Sequence, residues 1–382
     1  MRRSLGLILT LLFLILAIPA HSEQAVDFDM PSSASALLMD AGSGKVLFEK
    51  NASQKTEVAG LKRLPALLTV CRAFDEGLIA GSTRVTVSSE AAAIRGTTAF
   101  LEPNETADAE PILKAAVMLT AGDAICALLK TVYPGESKAL EAVNAVLDEV
   151  GAEKIGSSMG SDDLFSLFDI AAVGIALSRS EAYLKYSSVY LDTLRHENAS
   201  ATELTNPNRL VRHYSGCFGL ATGSVGASVY AGAFIARRGT TSFLAVVAGM
   251  PDSASRFRLG SELLNYGFSA FRSVELAQKG EVMGYVPVSG GTLRAVDAVT
   301  EEGVVSLIPL GDAKLYSEPL LPGKLFAPIS EGDRIGTLLI KNSAGEIVSE
   351  APLVAGTNVS KANLGDYFIG LLRAWLHCTL IV

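Results

Sequence analysis

The segment Asn206-Pro207-Asn208-Arg209-Leu210-Val211 opens the most informative part of this chain of 382 residues. A glycine-bearing run follows it from Gly216 to Gly223, and then come two apolar stretches, Ser228 to Arg237 and Thr241 to Gly249. Apolar stretches of this length that are separated by turn residues predict β-strands, and helical spacing from Ser255 to Tyr266 predicts a helix after them. Strands joined by short turns with helices beside them are typical of an α+β domain.

The chain before this segment is mainly helical in pattern. Two apolar runs around a glycine-bearing turn, between Ala36 and Glu49, first predict a β-hairpin. Pro65 is tolerated in the first turn of a helix and not later, so the next helix is predicted to begin near Leu64. Apolar spacing predicts further helices in these stretches: Leu113 to Val132 with an interruption at Ala121-Gly122-Asp123, Leu140 to Val150 with a stop at Gly151, and Phe165 to Leu177.

The chain after Phe271 loses the helical spacing. Short apolar runs divided by glycine-bearing turns predict a small all-β domain there. From Lys361 the helical spacing returns, with Leu364, Phe368 and Trp375 on one stripe, which predicts an amphipathic helix at a membrane surface. The predicted organisation is a signal peptide (1–22), an α+β domain (23–272), an all-β domain (273–357) and a membrane-associating amphipathic helix (358–382). A tail helix packed on the β domain is the alternative.

The first residues predict export. Met1-Arg2-Arg3 is basic, Leu5 to Ile18 is almost unbroken apolar sequence, and Ala20-His21-Ser22 has small residues at both ends of a cleavage tripeptide. The apolar run is too short for a spanning helix, which needs about twenty residues. We therefore expect the mature chain outside the cytoplasm, peripheral to the outer face of the membrane.

The composition narrows the classes of ligand. A net charge of -8 without a cluster of Lys and Arg argues against a nucleic-acid partner. The four cysteines are far apart, with no C-x-x-C spacing and no paired histidines, so no metal and no other cofactor is expected. Most of the cysteines lie in apolar sequence, where a buried thiol is the usual outcome. His196 and His213 have no ligand spacing and are expected to be polar surface residues.

The chain resembles the low-molecular-mass penicillin-binding proteins, the D-alanyl-D-alanine carboxypeptidase family of which penicillin-binding protein 5 is a member. The resemblance implies a β-lactamase- and transpeptidase-like domain, with helices packed on an antiparallel sheet, before the all-β domain. It covers nearly the whole mature chain. The matching stretches are Leu38-Met39-Asp40, Gly44-Lys45-Val46-Leu47, Phe100-Leu101-Glu102-Pro103, Asn206 to Val211 through Thr222-Gly223, and Leu263 to Phe268.

The family's first motif implies a serine nucleophile and, one helical turn later, a lysine base. In this chain the serine position is Gly60 and the lysine position is Arg63, and no S-x-x-K occurs anywhere in the sequence. Glycine has no side chain that can attack a carbonyl. Arginine does not release its proton at a workable pH, so it cannot act as the base.

The other two motifs are altered as well. The S-x-N motif is replaced by Ala121 and Asp123 around Gly122, so the hydroxyl is lost and the amide has become an acid. The K-T-G motif has Ala221 in place of its lysine but keeps Thr222 and Gly223, which are expected to remain as a substrate-binding strand. Together the changes predict that none of these positions is catalytically functional.

Two smaller hypotheses concern the same region and a loop nearby. The resemblance places Arg63 and Asp123 across one groove, where they either form an ion pair or stay solvated separately. Gly156-Ser157-Ser158-Met159-Gly160 matches the G-x-S-x-G pattern of α/β-hydrolases, but a helix end precedes it, so we interpret it as a loop.

The predicted function is that of an inactive, extracytoplasmic carboxypeptidase homologue in cell-wall biology, binding peptidoglycan stem peptides or a wall enzyme. Two alternatives stay open at this point. One is an active serine-type carboxypeptidase with a rearranged nucleophile, and the other is a scaffold that acts through the β domain.

Overall fold

The computed structural model describes residues 27–226, 229–310 and 314–366. In the first domain, the strands are β1 Ser35–Asp40, β2 Val46–Lys50, β3 Arg84–Thr86, β4 Thr106–Asp108, β5 Leu191–Arg195, β6 Ala201–Thr205, β7 Cys217–Val225, β8 Val229–Arg238 and β9 Thr241–Met250. A 3-10 helix, Ala59–Arg63, leads into the first α-helix. The α-helices are α1 Leu64–Asp75, α2 Ser89–Ala92, α3 Ala109–Leu119, α4 Gly122–Val132, α5 Glu136–Val150, α6 Leu167–Leu177, α7 Glu181–Ser187, α8 Leu210–His213 and α9 Ser253–Ala270.

A five-stranded antiparallel sheet with the order β2-β1-β9-β8-β7 organises this domain. Because side chains alternate along a strand, Leu244 and Val246 face the core shared with α1 and α3 to α6. Phe243 and Val247 face the opposite side, where α9 packs. Both faces of the sheet are therefore buried, which explains the almost continuous apolar sequence of β9.

Local signals set several helix ends. Pro65 lies in the first turn of α1, which begins at Leu64 as predicted. α6 begins with a capping box between Ser166 and Asp169, and α5 ends at Gly151, whose φ of 73° is favourable only for glycine. The predicted hairpin and the break between α3 and α4 are also confirmed.

The second domain is all-β, as predicted. Its strands are β10 Phe271–Ala277, β11 Val282–Ser289, β12 Ala295–Thr300, β13 Val304–Pro309, β14 Tyr316–Leu320, β15 Leu325–Phe326, β16 Arg334–Lys341 and β17 Ile347–Ala355. Six of them form one sheet in the order β14-β16-β17-β12-β11-β15, and β10 pairs with β13 separately. Leu338, Ile340 and Leu353 are fully buried in the core of this domain.

The two predicted terminal segments lie largely outside the described residues. The predicted signal peptide (1–22) is outside them, and so are residues 367–382 of the predicted tail helix. Residues 358–363 of that helix are not helical: Val359 and Lys361 form bridges with Ile329 and Gly291 of the β domain. Within the described ranges, no helix has both the length and the apolar character needed to cross a membrane.

Candidate functional site

A groove of about 740 Å³ lies between the 3-10 helix, the end of β7 and the first turn of α9. Gly60 and Arg63 of the first motif line it, together with Thr222 and Gly223 of the third motif. The structure therefore brings these two motif regions together. Asp123 of the second motif lies next to the groove, below Arg63, and is buried.

The nucleophile position is in direct backbone contact with β7. A β-carbon added to Gly60 would lie 3.1 Å from the Thr222 carbonyl oxygen and 3.4 Å from the Gly223 Cα. A β-carbon added to Gly223 would lie only 2.2 Å from the Gly60 nitrogen. The two glycines thus allow the 3-10 helix and the strand to approach more closely than side chains would permit. A serine side chain at position 60 would therefore begin in a tight contact with the strand's own backbone.

Arg63 spans the site and binds only backbone carbonyl groups. Its Nη1 donates to the oxygens of Thr97 (2.7 Å) and Thr120 (3.3 Å), and its Nη2 donates to the oxygen of Arg95 (2.6 Å). The guanidinium lies over Gly122, where an added β-carbon would be 2.7 Å from the Arg63 Cζ. Burial lowers the pKa of Arg63, while the negative charge of Asp123 acts in the opposite direction. Arg63 therefore fills space that a side chain at the middle position of the second motif would need.

Asp123 is buried and holds the neighbouring loop. Its carboxylate oxygens accept hydrogen bonds from the backbone nitrogens of Ala99 (2.9 and 3.0 Å), Leu101 (3.1 Å) and Ala124 (2.8 Å). No ion pair within 4.0 Å joins it to Arg63 among the described residues, so the hypothesis of such a pair is wrong. Instead, each charged group forms hydrogen bonds with backbone groups. A buried charge needs such hydrogen bonds when no opposite charge is in contact with it.

The strand side of the groove contains two arginines that the sequence analysis did not identify as site residues. Arg256, almost fully buried, donates to the carbonyl oxygens of Gly223 (2.8 Å) and Ala231 (3.3 Å), and its Nε has no hydrogen-bond partner. Its guanidinium stacks on Phe257 with 4.6 Å from Cζ to the ring centroid. The exposed Arg209 lies near the same ring at 5.9 Å. Burial lowers the pKa of Arg256 to about 10, so it stays protonated at neutral pH.

Arg209 belongs to the segment Asn206–Val211, which precedes the third motif. That position is the sequence signal that could have identified Arg209 as a residue of the groove. Arg256 has no local motif around it. It reaches the groove because α9 packs on β8 and β9 and the Arg256 side chain extends to the Gly223 carbonyl of β7, so only the tertiary structure places it there.

The remaining motif residues contribute little polar surface. Ala221 and Thr222 are buried in β7, and Ala121 is buried at the start of α4. Gly223 lines the groove, but its carbonyl oxygen already accepts from Arg256. The strand therefore offers a ligand only part of its backbone polar groups.

The groove is strongly basic although the chain is acidic overall. Its charged lining residues are all cations: Lys62, Arg63, Arg95, Arg209 and Arg256. In the part of the chain that the structure describes, none of these four arginines has a carboxylate within 4.0 Å, and Lys62 lies 3.7 Å from Glu57. A groove with this lining favours an anionic ligand.

Three other side chains with nucleophilic groups, those of Ser158, Cys126 and Cys217, are buried. The hydroxyl of Ser158 in the G-x-S-x-G segment is buried and donates to Glu136 (2.8 Å), and a loop surrounds it, as interpreted from the sequence. Cys126 and Cys217 are buried, and burial raises the pKa of each thiol to about 11. Thiols at that pKa are almost entirely protonated at neutral pH, and only the thiolate attacks carbonyl groups.

His196 differs from expectation because it is buried rather than on the surface. Its Nδ1 lies 2.9 Å from a carboxylate oxygen of Glu105, and its Nε2 lies 2.8 Å from the hydroxyl of Thr202. These contacts join the β5–β6 hairpin to the loop before β4, away from the groove. His196 is therefore a structural residue in this arrangement.

Comparison with known proteins gives a consistent result. The family model described as D-alanyl-D-alanine carboxypeptidase matches residues 22–251, and the model of the penicillin-binding protein 5 C-terminal domain matches residues 271–361. The D-alanyl-D-alanine carboxypeptidase DacF of Bacillus subtilis is 27% identical over 348 residues, covering 89% of each chain. DacC of Escherichia coli is 24% identical over 375 residues, covering 94% of this chain and 91% of its own. Penicillin-binding protein 5 of Haemophilus influenzae has the same fold, with a TM-score of 0.75, 22% identity, and coverage of 88% of this chain and 100% of that one.

Proposed function

Since the chain belongs to the D-alanyl-D-alanine carboxypeptidase family of penicillin-binding proteins, we propose that it is a non-catalytic member which binds the carboxy-terminal end of cell-wall peptides. The observation that carries the proposal is the contact of Gly60 with β7. The nucleophile position has no side chain, and the Thr222 carbonyl oxygen lies 3.1 Å from where a β-carbon would be. Loss of a nucleophile alone costs about a million-fold in rate in serine enzymes.

The base is lost together with the nucleophile. Arg63 stands where the family motif has a lysine, and its guanidinium donates to three carbonyl oxygens. A group that is permanently protonated and already engaged as a donor cannot accept a proton from a hydroxyl. Acyl transfer by the family mechanism is therefore not expected.

Binding is supported by the strand side of the groove. Peptides of the family's substrate class end in a free carboxylate, and arginines are well suited to bind carboxylates through two parallel hydrogen bonds. Arg256 lines the groove and carries positive charge there, and Arg209 is exposed beside it. Thr222 and Gly223 keep the identity that the third motif has in the family. We propose that these residues hold the peptide's terminal carboxylate.

The proposed location is outside the cytoplasm. The basic, apolar and small-residue pattern of residues 1–22 supports export, and the amphipathic pattern of the tail supports attachment to the outer face of the membrane. Wall peptides or a wall enzyme are the partners that this location would supply.

Labelling with a fluorescent penicillin tests the absence of catalysis. The purified protein is incubated with the reagent, denatured and separated on a gel, beside an active family member as positive control. We expect no covalent label on this chain. A label that survives denaturation would establish a rearranged nucleophile, and peptide mapping would locate it.

Calorimetry tests binding. We expect heat on titration with an acetylated peptide that ends in D-Ala-D-Ala and none with its carboxamide, because only the first has a terminal carboxylate. Arg209→Gln should weaken binding about tenfold, the loss of a charge-assisted hydrogen bond. Arg272→Gln, at an exposed position of β10 outside the groove, is the matched control and should bind as the parent does. Absence of heat with the acid peptide would favour the scaffold alternative.

A further inference from the structure

A second group of cations lies in the same groove, around the position of the missing nucleophile and base. Lys62 and Arg63 belong to the 3-10 helix, and Arg95 comes from the loop beside it. We infer that these three residues form a second anion-binding subsite, so that the preferred ligand is a peptide with a carboxylate side chain as well as a terminal carboxylate. This inference rests on the proposed function, since it names the class of peptide that the groove takes.

Arg63 retains N–H groups without a protein acceptor and a positive charge that is not fully compensated. An arginine side chain carries five N–H groups, and three hydrogen bonds to carbonyl oxygens leave two N–H groups without a protein acceptor. Those carbonyls are neutral, so they satisfy donors without cancelling the positive charge. Asp123 is close enough to act on Arg63 through space, but its oxygens are engaged by backbone N–H groups. The charge of Arg63 is therefore only partly compensated inside the protein.

Arg95 and Lys62 extend this charge towards solvent. Arg95 is exposed, and its side chain has neither a hydrogen bond nor an ion pair in the described structure. Lys62 donates to the carbonyl oxygen of Ser161 (2.8 Å) and lies 3.7 Å from the carboxylate of Glu57. Arg95 can thus turn to a ligand without losing a contact, and Arg63 can bind one without moving.

The neighbouring cavity does not provide the missing counter-charge. It has a volume of about 420 Å³ and shares Lys62, Arg63 and Arg95 with the groove. Its two carboxylates, Glu90 and Glu136, both pair with Lys130. Because the two carboxylates share one lysine, only one of their negative charges is left over, which is fewer than the three positive charges of Lys62, Arg63 and Arg95.

The positions of the two subsites suit one extended ligand. Arg63 follows Gly60 by one turn of 3-10 helix, a rise of about 6 Å. Arg256 donates to the carbonyl of Gly223, and Gly223 contacts Gly60. A peptide whose terminal carboxylate lies at Arg256 and Arg209 passes the Gly60–Gly223 contact and brings a preceding side chain to Arg63 and Arg95. A monoanionic peptide leaves the second group of cations without a partner.

Paired peptides test this inference. Three acetylated pentapeptides that end in D-Ala-D-Ala carry one glutamate at the first, second or third position, and three matched peptides carry glutamine instead. At low salt we expect at least one glutamate peptide to bind about tenfold more tightly than its glutamine partner in calorimetry. The difference should shrink at high salt because the attraction is screened.

Variants assign the preference to residues. Arg95→Gln removes an exposed charge that has no structural contact, and it should reduce the glutamate preference to about threefold or less. Arg272→Gln removes the same charge from an exposed site outside the groove and should leave the preference intact. Arg63→Gln, compared after its folding has been checked by circular dichroism, should also reduce it.

The outcomes separate this inference from the proposed function. Equal affinity for glutamate and glutamine peptides at all three positions would overturn the second subsite and leave the binding function standing. A glutamate preference that persists undiminished in both Arg95→Gln and Arg63→Gln would also overturn it. Failure of all six peptides to bind would refute the proposed function itself.

Discussion

The two sides of the groove have diverged from the family pattern in different ways. On the helix side, Gly60 packs against backbone, Arg63 donates to carbonyl groups and Asp123 accepts from a loop, so the motif positions serve the structure. On the strand side, Thr222 and Gly223 keep their identities although the motif lysine is replaced by Ala221, and two arginines, Arg209 and Arg256, line the groove. The helix side has lost the positions of both the nucleophile and the base, whereas the strand side has lost only the lysine of its motif.

This difference shows that the losses on the helix side are coupled. Arg63 has room for its guanidinium because Gly122 and Gly96 have no side chains, since β-carbons there would lie 2.7 Å from its Cζ and 3.2 Å from its Nη2. The backbone of β7 can approach because Gly60 has no side chain. A single substitution that restores one motif residue therefore meets a neighbour that has already changed, and it is expected to cost stability rather than restore activity.

The largest expected effect is at Gly223, where the two sides touch. In Gly223→Ala the new methyl group would meet the backbone of Gly60 at 2.2 Å, and backbone cannot rotate away as a side chain can. We expect a loss of about 3 kcal/mol or more in the free energy of unfolding, measured by urea unfolding with circular dichroism.

The matched control is Gly156→Ala, whose new methyl group would have its nearest neighbour, an Asp163 oxygen, at 3.5 Å. The control should stay within about 0.5 kcal/mol of the parent. Equal stability of the two variants would show that the sides are not in contact.

The next effect is expected at Asp123, where restoring the family's amide should harm the protein. Asp123→Asn replaces one of two accepting oxygens with an NH2 group that faces backbone donors of Ala99 and Leu101. A buried donor left unsatisfied costs about 2 kcal/mol, which we expect as the loss in unfolding free energy.

Asp163→Asn is the control for this change. Asp163 also accepts from backbone nitrogens, those of Gly156 (2.8 Å) and Ser157 (3.4 Å), but it is partly exposed, so water can replace the lost bonds. A loss below about 1 kcal/mol is expected there. The structural role assigned to Asp123 would be refuted by a variant as stable as the parent.

A smaller effect is expected when Arg63 is replaced by the family's lysine. Arg63→Lys keeps the charge but cannot reach three carbonyls with one planar group, so we expect a loss of about 1 kcal/mol. Arg95→Lys, at an exposed side chain without contacts, should change stability by less than about 0.5 kcal/mol.

The double variant Gly60→Ser with Arg63→Lys should remain unlabelled by fluorescent penicillin, because the serine would begin against the Thr222 carbonyl. Labelling of the double variant would show that the two side chains alone separate this chain from an enzyme.

The sequence was sufficient for the parts of the fold that local patterns encode. Pro65 set the beginning of α1, and the polar interruption at Ala121 to Asp123 separated α3 from α4. Several strands were not predicted, and β14 and β17 of the second domain are two of them. β14 is exposed along its whole length and contains Pro319, and most of β17 is also exposed, so neither shows the apolar alternation of a half-buried strand.

The site was predictable in its identities but not in its contacts. The motif positions Gly60, Arg63 and Thr222 could be assigned because the sequence around them still matches the pattern of the family. The actual partners of Asp123 are backbone nitrogens of a loop, and backbone groups carry no sequence signal. Arg256 enters the groove only through the packing of α9 on β8 and β9. Contacts between distant segments decided each case in which sequence reasoning was wrong or incomplete.

The smallest expected effect concerns the cap that holds the strand side in place. Asp252 caps α9, accepting from the backbone nitrogen of Ser255 (2.7 Å), and the first turn of that helix carries Arg256. Hydrogen bonds from the backbone and hydroxyl of Ser255 lower the pKa of Asp252. A carboxyl group whose pKa is lower in the folded state stabilises the fold at pH values above its unfolded pKa of about 3.9. That contribution is lost as the pH falls through the pKa of the folded state.

Asp252→Asn keeps a capping oxygen but cannot titrate, so its urea midpoint should fall slightly less than the parent's between pH 6 and pH 3. Asp162→Asn, at an exposed loop position without hydrogen bonds, should follow the parent over this range. If Asp252→Asn showed the same acid sensitivity as the parent, the cap would not contribute to holding Arg256 in the groove, and the strand side would owe its order to the packing of Phe257 and Tyr230 instead.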